Sequence, residues 1–234
     1  MNIHEVHNRF DLELSKYGIT DPILSTTMED YINYAYQDYI TEMYSSLINP
    51  TISFEINERA SRILAPLLVD RAETVFVAST FNTYTNTGLA GYTTAIGGSY
   101  DLQYIIEETA VINTTDCEGT ATTNSVNILP IKHNMIKANK NNPFLTPTNE
   151  EIWRVNFAGG LIELILAYGD TLVSYTCRFI KKHTPYSIYP TAPATGEMEI
   201  DSSVHGDIAV RAAYLYLSDL RKNKVETKIE ENAQ

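Results

Sequence analysis

His4-Glu5-Val6-His7 sets two imidazoles three residues apart. On a helix that spacing brings both to one face, within reach of a shared metal ion. No third ligand stands nearby and the HExxH spacing of zinc hydrolases is missing, so packing or surface histidines are the simpler reading. His133, His183 and His205 occur singly. Gly88-x-x-Gly91 and Gly97-Gly98 have no Lys-Ser or Lys-Thr partner to complete a phosphate cradle, and no GxSxG elbow occurs. Cys117 and Cys177 lie 60 residues apart with no CxxC pair, which offers neither a zinc knuckle nor a disulfide framework and suits a reducing cytosol. Glu107-Glu108 and Asp201 are the carboxylates that could serve acid/base work of the glycosidase kind, yet nothing in their flanks distinguishes them among 29 acids. The residues point to no catalytic, cofactor-binding or metal-ligating set.

Charge is more informative. Only 5 Lys or Arg stand against 17 Asp or Glu before Ser125, whereas residues 126–234 carry 12 of each, so the whole formal charge of −12 belongs to the first half. An acidic half repels phosphate backbones and is no material for a domain that grips nucleic acid. The bland alternative is a solvated acidic surface kept for solubility. Lys132, Lys137, Lys140 and Lys181-Lys182-His183 are the candidates for a basic patch, either solvated or matched head-to-tail with the acidic face of a second copy. The 16 tyrosines are the other excess, since an apolar ring with a polar tip suits a surface that a partner covers. The opening residues Met1-Asn2-Ile3-His4-Glu5 have no basic start or apolar run, and no stretch approaches a membrane span, so a soluble chain is expected, with no membrane among its partners.

These residues need elements to position them. Ile3, Val6, Phe10, Leu14 and Tyr17 repeat at helical spacing until Gly18. Thr26-Thr27-Met28-Glu29 reads as a capping box opening a second helix with a stripe of Met28, Ile32, Ala35, Tyr39, Met43 and Leu47. Tyr31, Tyr34, Tyr36 and Tyr44 lie partly off that stripe, so the helix is covered on more than one side, by its own subunit or by another. Tyr31, Tyr34, Tyr36, Tyr39, Tyr44, Lys181 and Lys182 are the candidate interface residues. A third helix spans Phe54 to Leu64 and is stopped by Pro66. Thr74 to Ser79 and Leu102 to Ile112 read as strands, and the Thr/Asn-rich stretches Asn82 to Ser99 and Asn113 to Asn127 as loops or a projecting hairpin. With little apolar material, residues 82–127 are expected to order mainly against other chains. Ile131 to Asn139 reads as a short basic helix. From Ile152 an antiparallel meander is expected, turning at Tyr168-Gly169-Asp170. Asp201 is the expected N-cap of a last helix running to Arg221.

The expected organisation is an N-terminal helical region 1–72 and a β-rich region 73–200 with projecting loops 82–127. A C-terminal helix 201–222 packing on the N-terminal helices and a frayed tail 223–234 complete it. This is an α+β chain with an antiparallel sheet.

Four phrases together resemble the neck ring, or head–tail connector, proteins of crAss-like short-tailed bacteriophages. They are the Met28 to Ile40 helix, Asn142-Pro143-Phe144 with Pro147 and Trp153-Arg154, the run Tyr175-Thr176-Cys177-Arg178-Phe179-Ile180-Lys181-Lys182, and Val204-His205-Gly206-Asp207-Ile208-Ala209-Val210-Arg211-Ala212-Ala213. The chain departs from the family in placing His183-Thr184 before Pro185, and residues 82–127 match nothing in it. The resemblance implies a non-enzymatic virion protein, assembled in the host bacterial cytoplasm. It implies a homo-oligomeric ring of twelve copies between portal and tail that contacts the portal and other neck or tail ring proteins. It carries no catalytic residues, cofactor or metal. An acidic lumen in such a ring would let genomic DNA pass without being gripped. The rival reading of the residues is a monomeric β-rich module whose Thr/Asn/Tyr loops bind a carbohydrate or other ligand.

Overall fold

The computed structural model describes residues 3–49, 54–74, 77–78, 90–95, 102–115, 120–132, 134–136, 142, 146–157, 161–167, 169–187 and 198–232. The chain divides into a helical unit, Met1–Leu67 with His183–Gln234, and a sheet unit, Leu68–Lys182. The fold is α+β, as expected, but the β-rich part ends at residue 182 and the connector after it belongs to the helices.

In the helical unit α1 spans Ile3–Ser15, α2 Ser25–Ile48, α3 Phe54–Leu64 and α4 His205–Asn232. Val6, Phe10 and Leu14, four residues apart, form the buried stripe of α1. Its end is closed by Gly18 at φ 76°, where the amides of Gly18 and Ile19 donate to the carbonyls of Ser15 and Leu14, a left-handed cap that only glycine adopts without strain. Helix α2 begins at Ser25, with Leu24 at the cap position and no side-chain cap bond. The expected capping box therefore does not form, because Thr26 and Thr27 already lie inside the first turn. Its buried side is Met28, Ile32, Ala35, Tyr36, Tyr39 and Ile40. Helix α3 has the expected limits, and Pro66 sits in the 3-10 turn that follows, Ala65–Leu67. Asp201 caps as expected: its carboxylate accepts the Ser203 amide at 2.8 Å, and a 3-10 turn over Ser202–Val204 leads into α4. The tail expected to fray is instead helical through residue 232. No Gly or Pro stands between Arg221 and Asn232 to stop the helix. Helix α4 packs on both α1 and α2, and α3 packs on α2.

Among the described residues the sheet unit holds eight strands: β1 Leu68–Glu73, β2 Val77–Ala78, β3 Ala90–Ala95, β4 Leu102–Thr115, β5 Ala121–Pro130, β6 Glu151–Asn156, β7 Leu161–Leu166 and β8 Thr171–Lys181. Their order is β1-β8-β4-β5-β6-β7-β3-β2. All neighbours are antiparallel except β5 and β6, which run parallel from Asn127↔Glu151 to Pro130↔Arg154. The expected meander holds for β6 and β7 but not beyond. The chain turns at Gly169, then β8 leaves β7 and pairs with β1 and β4. Core residues from both halves of the sheet, Ile162, Leu164 and Leu166 on β7 with Tyr175, Cys177 and Phe179 on β8, form one buried cluster. The link between β7 and β8 is thus an arch across a core, not a hairpin.

Residues 82–127 are corrected likewise. Strand β3 pairs with β7, and β4 with β8 and β5, so this region orders within its own subunit wherever it is described. The polar hairpin β4–β5 is held by Thr114 and Thr122 hydroxyls 2.9 Å apart and by Thr123 donating to Asn113 at 2.7 Å. Residues 134–136 are helical, within the expected basic helix. His133, Lys137 and Lys140 lie outside the described residues, as do Asn82 to Leu89, Cys117, Gly159-Gly160 and Tyr168.

Candidate assembly surface and a buried polar cluster

The candidate chemistry separates in space. His4 is exposed whereas His7 is buried, so the two imidazoles serve different faces. Among the described residues no group of three His, Cys, Asp or Glu is placed to hold a metal ion. His7 stacks on Tyr186 with ring centroids 5.6 Å apart, and burial lowers its pKa. His183 packs on Tyr36 at 4.3 Å, and the His205 ring lies 3.0 Å from the Ile200 carbonyl. All three act as packing groups of the helical unit. Glu107 and Glu108, adjacent on β4, point to opposite sides of the sheet. Glu107 is open to solvent, 3.7 Å from Arg178, which also forms a two-pronged pair with Asp70 at 2.7 and 3.2 Å. They form no carboxylate pair.

Glu108 lies inside the sheet unit instead. Arg154 Nε donates to its carboxylate at 2.9 Å and Tyr175 OH at 2.9 Å, while Arg154 also donates to Asn156 Oδ1 at 2.6 Å. Burial pushes the Glu108 pKa up against the pull of Arg154 and Tyr175, and raises that of Tyr175 strongly. Cys177, on the same strand as Tyr175, is raised to about 11 by burial and stays a thiol. The available signal was alternation: Arg154 shares a strand face with Ile152 between Trp153 and Val155 on the other. An arginine on a core face requires a buried acid.

The candidate interface residues also divide. Tyr36 is fully buried and Tyr39 is 8% exposed, so both are corrected to core of their own helical unit. Tyr31 is half-buried, donates to Asp219 at 3.0 Å and stands edge-on to Tyr216 at 5.3 Å. Tyr44 is half-buried and Tyr34 is 70% exposed. Lys182 is exposed and Lys181 half-buried at the end of β8. Lys181 is opposite Leu102 at the start of β4, whereas Lys132 follows β5, which leaves β4 after Val126 and continues beside β6.

Divided by unit, the charge asymmetry is weaker than between the halves of the chain. The helical unit holds 9 Lys or Arg against 18 Asp or Glu, the sheet unit 8 against 11. An acidic helical unit with an exposed tyrosine is a surface suited to contacts between proteins.

A family described as phage tail ring protein 3/4 matches residues 1–223. The chain belongs to this crAss-like phage ring family. A search of curated proteins found no match. Membership makes the ring protein a structural component of a phage virion and of an oligomeric ring built with other tail proteins. A ring requires a contact that every subunit repeats with the next, so the surfaces of this ring protein carry its function. The last nine described residues of α4 lie beyond the matched span. No helix among the described residues is long and apolar enough to cross a membrane.

Proposed function

We propose that the protein forms a ring in the neck of the virion, between portal and tail, through which genomic DNA passes without adhering. The family match across residues 1–223 carries the reading. The acid excess of the helical unit supports the DNA role, because a channel that makes no phosphate contacts neither releases counterions nor brakes the strand. The ring's function is geometric: lateral contacts close it, and axial contacts dock it on the portal side and on the next ring. Tyr34 and Tyr44 of α2 and Lys182 of the sheet unit are the interface residues this reading retains.

Cross-linking of intact virions followed by mass spectrometry tests it. Expected are cross-links between copies of this chain and to portal and tail ring proteins, with none to head-shell or receptor-binding proteins. Cross-links confined to the far tail would remove the neck assignment while leaving the ring.

A further inference from the structure

Strand β1 is an edge of the sheet. It pairs with β8 in unbroken register from Leu68↔Ile180 to Glu73↔Tyr175, and no described strand lies beyond it. Every second residue of an edge strand turns its N–H and C=O away from the sheet, which makes it a template for one more strand. Side chains alternate between its faces. Asp70 and Ala72 are exposed on one face, where Arg178 already engages Asp70 at 2.7 and 3.2 Å. Arg71 and Glu73 are half-buried on the other. Among the described residues neither of these two side chains has a hydrogen-bond or ion-pair partner, and Arg71 Nε is buried without an acceptor. The two stand about 7 Å apart along the strand and leave each other unpaired.

These charges turn most strands away and select one. For two β1 strands meeting antiparallel across a two-fold axis, the residue at the centre fixes the register. Centred on Asp70, Arg71 or Glu73, the pair sets like charges directly opposite each other, which destabilises a sheet. Centred on Val69 or Thr74, it gives neither Arg71 nor Glu73 an opposite charge. Centred on Ala72, it sets Arg71 opposite Glu73 of the second copy, and Glu73 opposite Arg71 of the second copy. We infer that β1 pairs antiparallel with β1 of a second copy, centred on Ala72 and locked by two Arg71–Glu73 ion pairs, so that two sheets join edge to edge. The occupant is a second copy because the run Arg71-Ala72-Glu73 is complementary to itself when reversed. Opposed side chains lie about 5 Å apart across such a pair, which gives each Arg71 the acceptor it lacks. A two-fold contact is complete after two copies and leaves ring closure to a different, head-to-tail contact. The inference therefore goes beyond the ring reading and does not depend on it.

Charge exchange tests it with the full chain. The single variants are Arg71→Glu and Glu73→Arg, and the exchange variant carries both changes. Circular dichroism and melting temperature check that all stay folded, and sedimentation over a concentration series follows association. Expected is a dimer of the unaltered chain, weakened ~10-fold or more in each single variant because each reversal acts on two symmetry-related pairs. The exchange variant is expected to associate like the unaltered chain, as is an equimolar mixture of the two single variants. Ala72→Cys, made together with Cys117→Ser, reads the register without altering a charge. Mild oxidation is expected to link two copies through position 72, whereas Thr74→Cys in the same background is expected to stay unlinked, because its counterpart lies several residues away. Association that survives both single reversals, or that the exchange does not restore, overturns this contact. So does a chain that is monomeric at every concentration, or one that links through position 74 as readily as through 72. Virion cross-linking decides the ring reading separately.

Discussion

An ion pair sealed inside a small sheet unit is held by geometry, not by the attraction alone. Arg154 and Glu108 have side chains only 7% and 13% exposed, so each is costly without the other. Arg154→Met is expected to destabilise the protein by about 3–5 kcal/mol in urea unfolding, because a buried carboxylate is left facing Tyr175. Glu108→Leu combined with Arg154→Met is expected to recover much of that loss. The pH dependence has a definite sign. Burial leaves Glu108 above its ordinary 4.5, so the folded state holds its proton more tightly than the unfolded chain does. Its contribution is full below 4.5 and is lost as pH rises through the raised value, and Glu108→Gln should flatten stability against pH in that window. Cys177 is 3% exposed with its pKa near 11. Peptide-resolved labelling should find it unreactive to thiol reagents in the native protein and fully modified in denaturant.

At the scale of elements, what local pattern decides was legible in the sequence. Gly18, Pro66 and Asp201 act on neighbours a few residues away, and the ends of α1 and α3 and the start of the last helical segment fall where those residues require. Pairing across the chain was not legible. Tyr168-Gly169-Asp170 has the composition of a hairpin turn, yet β8 pairs with β1 and β4 rather than β7, and Leu164 and Tyr175 share one buried core. An arch and a hairpin share the same turn residues, and only distant partners distinguish them. Strand β1 was missed because Asp70, Arg71 and Glu73 break its apolar pattern, as charges do on an edge strand. The connector after β8 was legible as a segment but not in its anchoring. Asn33 of α2 accepts the Tyr186 amide at 2.7 Å and donates to the Tyr186 carbonyl at 3.0 Å, as a neighbouring strand would. Asn33→Ala removes both of these bonds beside a fully packed tyrosine. It is expected to cost about 2 kcal/mol, and hydrogen exchange should show the Tyr186 amide losing protection before the core amides of β8.

For the whole molecule the deciding quantity is where charge sits. The helical unit carries twice as many acids as bases, and two of those acids, Asp38 and Glu42, are engaged by Arg211. The acids that would repel a passing duplex are therefore exposed ones outside that pairing, such as Asp21, Glu55 and Glu58. If the protein lets DNA slide, the purified chain should not retain duplex DNA at physiological salt, and lowering the salt should not create tight binding. Reversing Asp21, Glu55 and Glu58 together to Lys should create binding whose affinity falls steeply with salt. Each phosphate that is engaged contributes a slope of about −0.9 in log affinity against log salt. The same reversal built into phage should slow genome ejection without lowering the copy number of the ring, which separates a brake on DNA from a failure to assemble. Tight duplex binding by the unaltered protein at physiological salt would show that the acidic unit faces away from the strand, and that other surfaces meet it.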